Sequence, residues 1–239
     1  MDKHSYRQHI SEQFNAELDS VKTQMLEMGG AVEQQIAAAV AALVGLDSGE
    51  AELVVARDHE INALEVAIDE ECSRILARRQ PAASDLRLIL AISKVLTDLE
   101  RIGDEAAKIA RQAINLSEEG ASPSGYVEMR HIGQHVMAML RNALDAFARM
   151  DVEAAIGVAQ EDSIVDKEYA NAMRSLVTYM MEDPRVIGSV INEMWALRSL
   201  ERIGDHASNI AEHVVYLVKG LNVRHFEVDE IIAKLEERH

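Results

Sequence analysis

The sequence predicts an all-α protein of two tandem three-helix bundles, related by internal duplication and built from long antiparallel helices. Three observations predict it. Residues that break helices or favour strands are scarce: aromatics are 4% of 239 residues, with 12 Gly and 3 Pro, while helix formers such as Ala, Leu, Glu, Ile and Met fill the chain. Apolar residues recur at three- and four-residue steps between the few breaks. Finally, the segment Leu99-Glu100-Arg101-Ile102-Gly103-Asp104 returns unchanged as Leu200-Glu201-Arg202-Ile203-Gly204-Asp205, which marks a duplicated unit.

The breaks give the elements in order. Gly45-Leu46-Asp47-Ser48-Gly49 separates a helix over 8–44 from one over 50–79. Gln80-Pro81-Ala82-Ala83-Ser84 leads into a third over 84–118. Gly120-Ala121-Ser122-Pro123-Ser124-Gly125 reads as the linker between the repeats. A fourth helix then covers 125–149 and a fifth 152–181, with Asp151 as N-cap. Asp183-Pro184, an N-cap followed by Pro at the first helical position, starts a sixth over 184–219, closed by Gly220. The short loops make neighbouring helices antiparallel. The organisation expected is therefore 1–120 and 121–222 as repeats, with 223–239 as a short C-terminal helix and tail. Within the repeats, Leu96, Ala106, Ile109 and Ala110 match Leu197, Ala207, Ile210 and Ala211 at the offset of the motif.

Charge narrows the function classes. With 24 basic and 41 acidic residues the net charge is −17. That argues against nucleic acid, which needs a basic footprint, and against adsorption onto an anionic membrane. It suits cations, and basic patches on partner proteins. No uninterrupted apolar run approaches the ~20 residues of a spanning helix, and the N-terminus shows no apolar signal region. A cytoplasmic protein is expected. The one cysteine, Cys72, reads as a small buried apolar residue. His206 and His213 are expected on a helix surface.

The repeated motif carries the chemistry. Glu100 and Asp104 are four apart on one helix face, as are Glu201 and Asp205. Taken alone, such pairs read as solvated surface. Folding the second helix onto the third about Pro81 sets Asp58 level with Asp104 and Asn62 level with Glu100. Folding the fifth onto the sixth about Asp183-Pro184 sets Asp162 level with Asp205 and Asp166 level with Glu201. Each repeat then faces two oxygen-bearing pairs across a seam. Carboxylates held that close raise one another's pKa, and a bound cation relieves the conflict. All-oxygen ligands suit Mg, Ca, Mn or iron. Gly103 and Gly204 make room either for such a cluster or for a closely packed helix. The acids could also be purely structural.

The paired Leu-Glu-Arg-Ile-Gly-Asp segments, the run Gln80-Pro81-Ala82-x-x-Asp85-Leu86-Arg87 and the run Ala207-x-Asn209-Ile210-Ala211-Glu212 resemble the PhoU family, accessory and regulatory proteins of phosphate-specific transport. The resemblance spans about 8 to 220. It implies two similar three-helix bundles and multinuclear metal clusters at Glu/Asp-x-x-x-Asp motifs. Glu100, Asp104, Asp162, Asp166, Glu201 and Asp205 fit that pattern. Asp58 and Asn62 depart from it, because Asn replaces the final Asp, so the first site is expected to hold metal more weakly. The ions implied are Mg, Mn, Fe or Zn. The resemblance also implies negative regulation of the phosphate-starvation response, with the ATPase subunit of a phosphate ABC transporter and a phosphate-sensing histidine kinase as partners. It further implies a homodimer, which the apolar stripe of 223–238 could also serve, at most peripheral to the membrane through those partners. The rival class is a carboxylate-bridged di-metal bundle enzyme. Such sites need Glu-x-x-His on core helices; Glu128-x-x-His131 and Glu236-x-x-His239 match the spacing but lie outside the repeated motif.

Overall fold

A computed structural model describes residues 3–81, 83–120, 126–223, 226 and 228–236. The described residues form α1 Lys3–Gly45, α2 Ser48–Arg79, α3 Ala83–Glu118, α4 Tyr126–Arg149, α5 Val152–Glu182, α6 Ile187–Lys219 and α7 Val228–Glu236. No strand occurs among them, so the fold is all-α as expected. Helix α1 runs back to Lys3, further than its apolar periodicity suggested. The expected linker lies largely outside the described residues, which omit 121–125.

The turns show why the helices end where they do. Leu46 turns left-handed at φ 51°, and the Asp47 N–H bonds the Ala42 carbonyl at 3.0 Å. Asp47 then caps α2 by accepting from the Glu50 N–H at 3.0 Å. The α4–α5 turn repeats this device: Met150 has φ 55°, Asp151 N–H bonds Ala146 O at 2.9 Å, and the Asp151 side chain accepts from Ala154 N–H. Of these two caps, the sequence alone points to Asp151. At Asp183 the cap accepts from the Arg185 N–H at 3.1 Å, but over a 3-10 turn, Pro184–Val186, that precedes α6. The expected cap is thus real, and the α-helix starts three residues later.

Helices α1, α2 and α3 all pack on one another, and so do α4, α5 and α6. The two triplets meet through α3 on α6 and α1 on α4. Helices α2 and α5 therefore flank a central group of four. One continuous apolar cluster fills it, from Val21, Met25 and Ile36 of α1 through Leu99 and Phe147 to Ile203 and Ile210 of α6. By length and composition alone Glu12–Gly45 is long and apolar enough to cross a membrane, but half of its most apolar stretch is buried in the bundle. Likewise, the stripe of 223–238 is not a free dimer face at Val223 and Ile231, which are buried within the chain.

The α1–α4 contact is close because each helix contributes a glycine. A Cβ on Gly29 would sit 2.6 Å from Leu144 Cδ1, and one on Gly133 would sit 2.9 Å from Val40 Cγ2. The Leu144 side-chain end can swing aside, whereas β-branched Val40 is stiff. Gly133→Ala should therefore destabilise by about 1–2 kcal/mol, although Ala favours a helix by about 1 kcal/mol. Gly29→Ala should cost less, and adding Val40→Ala to Gly133→Ala should recover part of the loss. Urea unfolding of the four proteins checks this ordering.

Candidate metal centre

The two hairpins assemble the acidic residues at the seams the sequence indicated. On the α2–α3 seam, Asp58 Oδ1 lies 3.6 Å from where a Gly103 Cβ would be. On the α5–α6 seam, Asp162 Oδ1 lies 3.6 Å from the same point on Gly204. The glycines differ in what presses on them. Gly103 is also crowded by Gln35 Oε1 at 3.1 Å and Ile61 Cγ2 at 3.2 Å, whereas nothing comes nearer than 3.5 Å at Gly204. Close packing accounts for Gly103 more than for Gly204.

The α5–α6 cluster is the more acidic. Asp166, Glu201 and Asp205 each offer an oxygen within 4.8 Å of the others. Glu201 is buried; its Oε1 takes the Arg198 guanidinium, while Oε2 is buried without a hydrogen-bond partner. Burial raises the Glu201 pKa, and so does the Asp205 charge, against the pull of Arg198. Asp205 is raised by burial and then by Asp166. Asp162 is pushed up to about 7, first by burial and then by Asp205, Asp166 and Glu201. Four carboxylates on one seam therefore resist being ionised together.

The α2–α3 cluster is assembled from different groups. Asp58 is buried and accepts from Gln35 Nε2 of α1 at 3.1 Å. Glu100 is raised by burial, then by Asp104, Glu65 and Asp58. Gln35 Oε1 and Asn62 Oδ1 are both buried without a partner. Among the described residues, Asp58, Glu100 and Asp104 do not converge as closely as the α5–α6 trio. Neutral amide oxygens take the place here of part of the carboxylate charge.

Both donor sets fit a hard cation. A carboxylate oxygen or amide carbonyl buried without a hydrogen bond costs free energy until something binds it, and a divalent ion is the partner that also lowers the mutual repulsion. No His or Cys joins the α5–α6 trio among the described residues, so oxygen-preferring ions suit it better than zinc.

The sequence reading missed three groups and misplaced two. Gln35, Glu65 and Glu212 act on the clusters from outside the motif. His206 and His213 are buried at 7% and 3% exposure, not on a surface. They belong to an inter-triplet contact: Asp98 of α3 meets His206 Nδ1 at 3.0 Å and His213 Nε2 at 3.1 Å, and accepts from Asn209 Nδ2 at 3.3 Å. Beside it, buried Glu105 of α3 pairs with Arg202 of α6 at 2.6 Å and with Lys108 at 3.0 Å. The signal was present: Val95, Asp98, Ile102, Glu105 and Ile109 fall on one three-and-four stripe, so Asp98 and Glu105 are in step with core residues. Among the described residues the Glu-x-x-His spacing of the di-metal alternative joins no carboxylate cluster. His131 Nε2 and His135 Nδ1 each meet Glu168 at 3.2 Å, apart from both seams, and His239 lies outside the described residues.

Comparison with known proteins is consistent along the chain. A model of the PhoU domain matches residues 25–113 and 129–214. A phosphate-specific transport system accessory protein PhoU homolog of Pseudomonas aeruginosa is 61% identical over 99% of this chain and 98% of its own length. The accessory protein PhoU of Escherichia coli is 49% identical over 97% of this chain and 95% of its own. The crystal structure of PhoU from Pseudomonas aeruginosa superposes with a TM-score of 0.84 at 64% identity, over 87% of this chain and all of that one. The phosphate transport system regulatory protein PhoU of Streptococcus pneumoniae gives 0.82 at 32% identity, over 88% of this chain and 99% of that one.

Proposed function

The chain belongs to the PhoU domain family, and from that premise we propose that it negatively regulates the phosphate-starvation response and restrains phosphate uptake. Like its named relatives it is an accessory protein of phosphate-specific transport and not an enzyme. In this reading it is an adaptor between the ATPase subunit of a phosphate ABC transporter and a phosphate-sensing histidine kinase. It works in the cytoplasm, as a homodimer, and reaches the membrane face only through those proteins. The chain is read as two repeats joined near 120–125, followed by a tail from 223.

The observation that carries the reading is the match to the PhoU domain in both halves of the chain, and what supports a metal ion in it is the α5–α6 acidic seam, with its buried orphan oxygen on Glu201. Asp162, Asp166, Glu201 and Asp205 would hold a divalent ion there. Asp58, Asn62, Glu100 and Asp104, with Gln35 beside them, would hold a second one less tightly. Such an ion supplies charge neutralisation. The residues themselves fix the helix hairpins and set the charge of the face shown to a partner, so regulation acts through partner affinity. Deleting the gene should give constitutive expression of phosphate-regulon genes in high phosphate, measured with a phosphatase reporter. Normal repression in the deletion strain would refute the regulatory role.

A further inference from the structure

The α5–α6 seam continues from the acidic cluster into a groove of about 340 Å³ lined by Tyr169, Met173, Ile191, Met194, Trp195 and Arg198. Its apolar groups are open to water: Trp195 is 61% exposed and Ile191 44%. The corresponding positions of the first triplet, aligned on the repeated motif and on Asp58 with Asp162, hold Glu65, Asp69, Leu90, Ser93, Lys94 and Thr97. There, Ser93 bonds Asp69 at 2.7 Å and Lys94 lies over the Tyr216 ring. A duplicated fold thus supports a polar seam at this place without difficulty. The second seam instead exposes Trp195 and Ile191 beside half-buried Met173 and Met194, and Trp and Met are residue types that dominate and adapt at recognition surfaces.

The surroundings indicate what fits. Along α5, Asp162 and Asp166 come one to three turns before Tyr169 and Met173; along antiparallel α6, Asp205 and Glu201 come after Arg198, Trp195 and Ile191. At 1.5 Å per residue, anchor groove and carboxylates are about 10 Å apart. Arg198 lies between them, bound to Glu201 and 6.0 Å over Tyr169, which leaves Asp162, Asp166 and Asp205 to set the sign at that end. A ligand helix with apolar residues at i, i+3/i+4 and i+7, and Lys or Arg one or two turns beyond, matches both halves. A second copy laid on this groove in a two-fold contact would bring its own acidic cluster towards this one, and an anionic membrane would also meet repulsion, so a homodimer contact belongs elsewhere on the chain. We propose that this groove docks a basic amphipathic helix of a partner protein, its apolar face on Ile191, Met194 and Trp195 and its cations against Asp166 and Asp205. The proposal rests on the adaptor reading and adds which surface and what chemistry the adaptor uses.

Trp195 is the chain's single tryptophan, so its emission reports the groove directly. The probe is a synthetic 18-residue amphipathic peptide of Leu and Lys, titrated in EDTA so that no metal ion competes for the cluster; the control peptide carries Glu at every Lys. The Lys peptide should shift Trp195 emission to the blue with saturation, and the Glu peptide should not. Ile191→Asp and the pair Asp166→Asn/Asp205→Asn should each weaken binding about tenfold or more. Leu64→Asp, at an exposed apolar residue of the first triplet, should bind as the parent does. Circular dichroism checks that each variant is folded. Equal response to both peptides, or unchanged binding by Ile191→Asp, would overturn the proposal. So would a blue shift that grows with protein concentration alone, because a second copy would then cover the groove. None of these results touches the deletion phenotype, so the regulatory role stands or falls separately.

Discussion

Replacing Asp98 by Ala is expected to destabilise the protein by about 3–5 kcal/mol, a large part of the 5–15 kcal/mol typical of a folded chain. Asp98 is 6% exposed and joins α3 to three α6 side chains, His206, Asn209 and His213. Burial alone would raise its pKa, but the hydrogen bonds from His206 and His213 outweigh burial and hold it at about 2. Hydrogen bonds to a charged group are each worth about 1.5–3 kcal/mol, and removing their acceptor strands buried donors. The sign in acid follows. Because the folded pKa lies below the ordinary carboxylate value, the contribution is complete above about pH 4 and fades as the pH falls towards 2. Urea unfolding at pH 7 should show a lower midpoint with an unchanged slope for Asp98→Ala, and a smaller loss for Asp98→Asn, whose carbonyl still accepts one bond. The difference between parent and Asp98→Ala should narrow at pH 2. A variant within 1 kcal/mol of the parent would show that the triplets are held by apolar packing alone.

That contact also shows where sequence reading stopped. Helix identities, turn positions and the levels that set Asp58 by Asp104 and Asp162 by Asp205, each found one residue away against Gly103 and Gly204, follow from local rules: periodicity, Pro and Gly placement, and the constant rise of a helix about a known turn. Those rules act within one hairpin. The contact of α3 with α6, by contrast, joins residues more than a hundred positions apart, and no local signal fixes its register. His206 and His213 lie seven residues apart, a spacing that suits a solvated stripe of a helix as well as a buried one. In the bundle α6 packs against α3, α4 and α5 at once, so it buries more than one face and leaves exposed only a stripe through Ile191, Trp195, Arg198 and Asp205 over its first two thirds. Gln35 escaped for a similar reason: it reaches the first cluster from α1, a helix outside the hairpin that defined the site. The repeat concealed a further difference. Identical motifs suggested twin sites distinguished by Asn62 alone, yet the first cluster is rich in neutral amide oxygens and the second in carboxylates.

The second large effect concerns Asp162, and its sign should reverse with metal. Asp162 titrates at about 7 in the folded chain, against about 4 when unfolded, because burial and the Asp205, Asp166 and Glu201 charges oppose its ionisation. Between those values the folded state holds a proton that the unfolded state has lost. Stability therefore falls as the pH rises from 4 to 7, and the deficit is complete above 7. Asp162→Asn carries no charge and escapes that deficit. Without metal at pH 8 it should be more stable than the parent by about 1–3 kcal/mol, with allowance for the water that reaches this half-buried group. Its stability should also vary less between pH 4 and 7. Millimolar Mn²⁺ should invert the order. An ion that binds only the folded state stabilises by RT ln(1 + [L]/Kd), about 2.7 kcal/mol at a hundredfold excess over Kd. The parent, with Asp162, Asp166, Glu201 and Asp205 all ionised, should gain that; the Asn variant, one charge poorer, should gain less. Thermal unfolding of both proteins at pH 8, with EDTA or Mn²⁺, reads the crossing. If the cluster is only structural, the Asn variant stays the more stable in both buffers and Mn²⁺ leaves the parent's Tm unmoved. A reversed order would show instead that the repulsion stored on the α5–α6 seam is what a cation is bound to relieve.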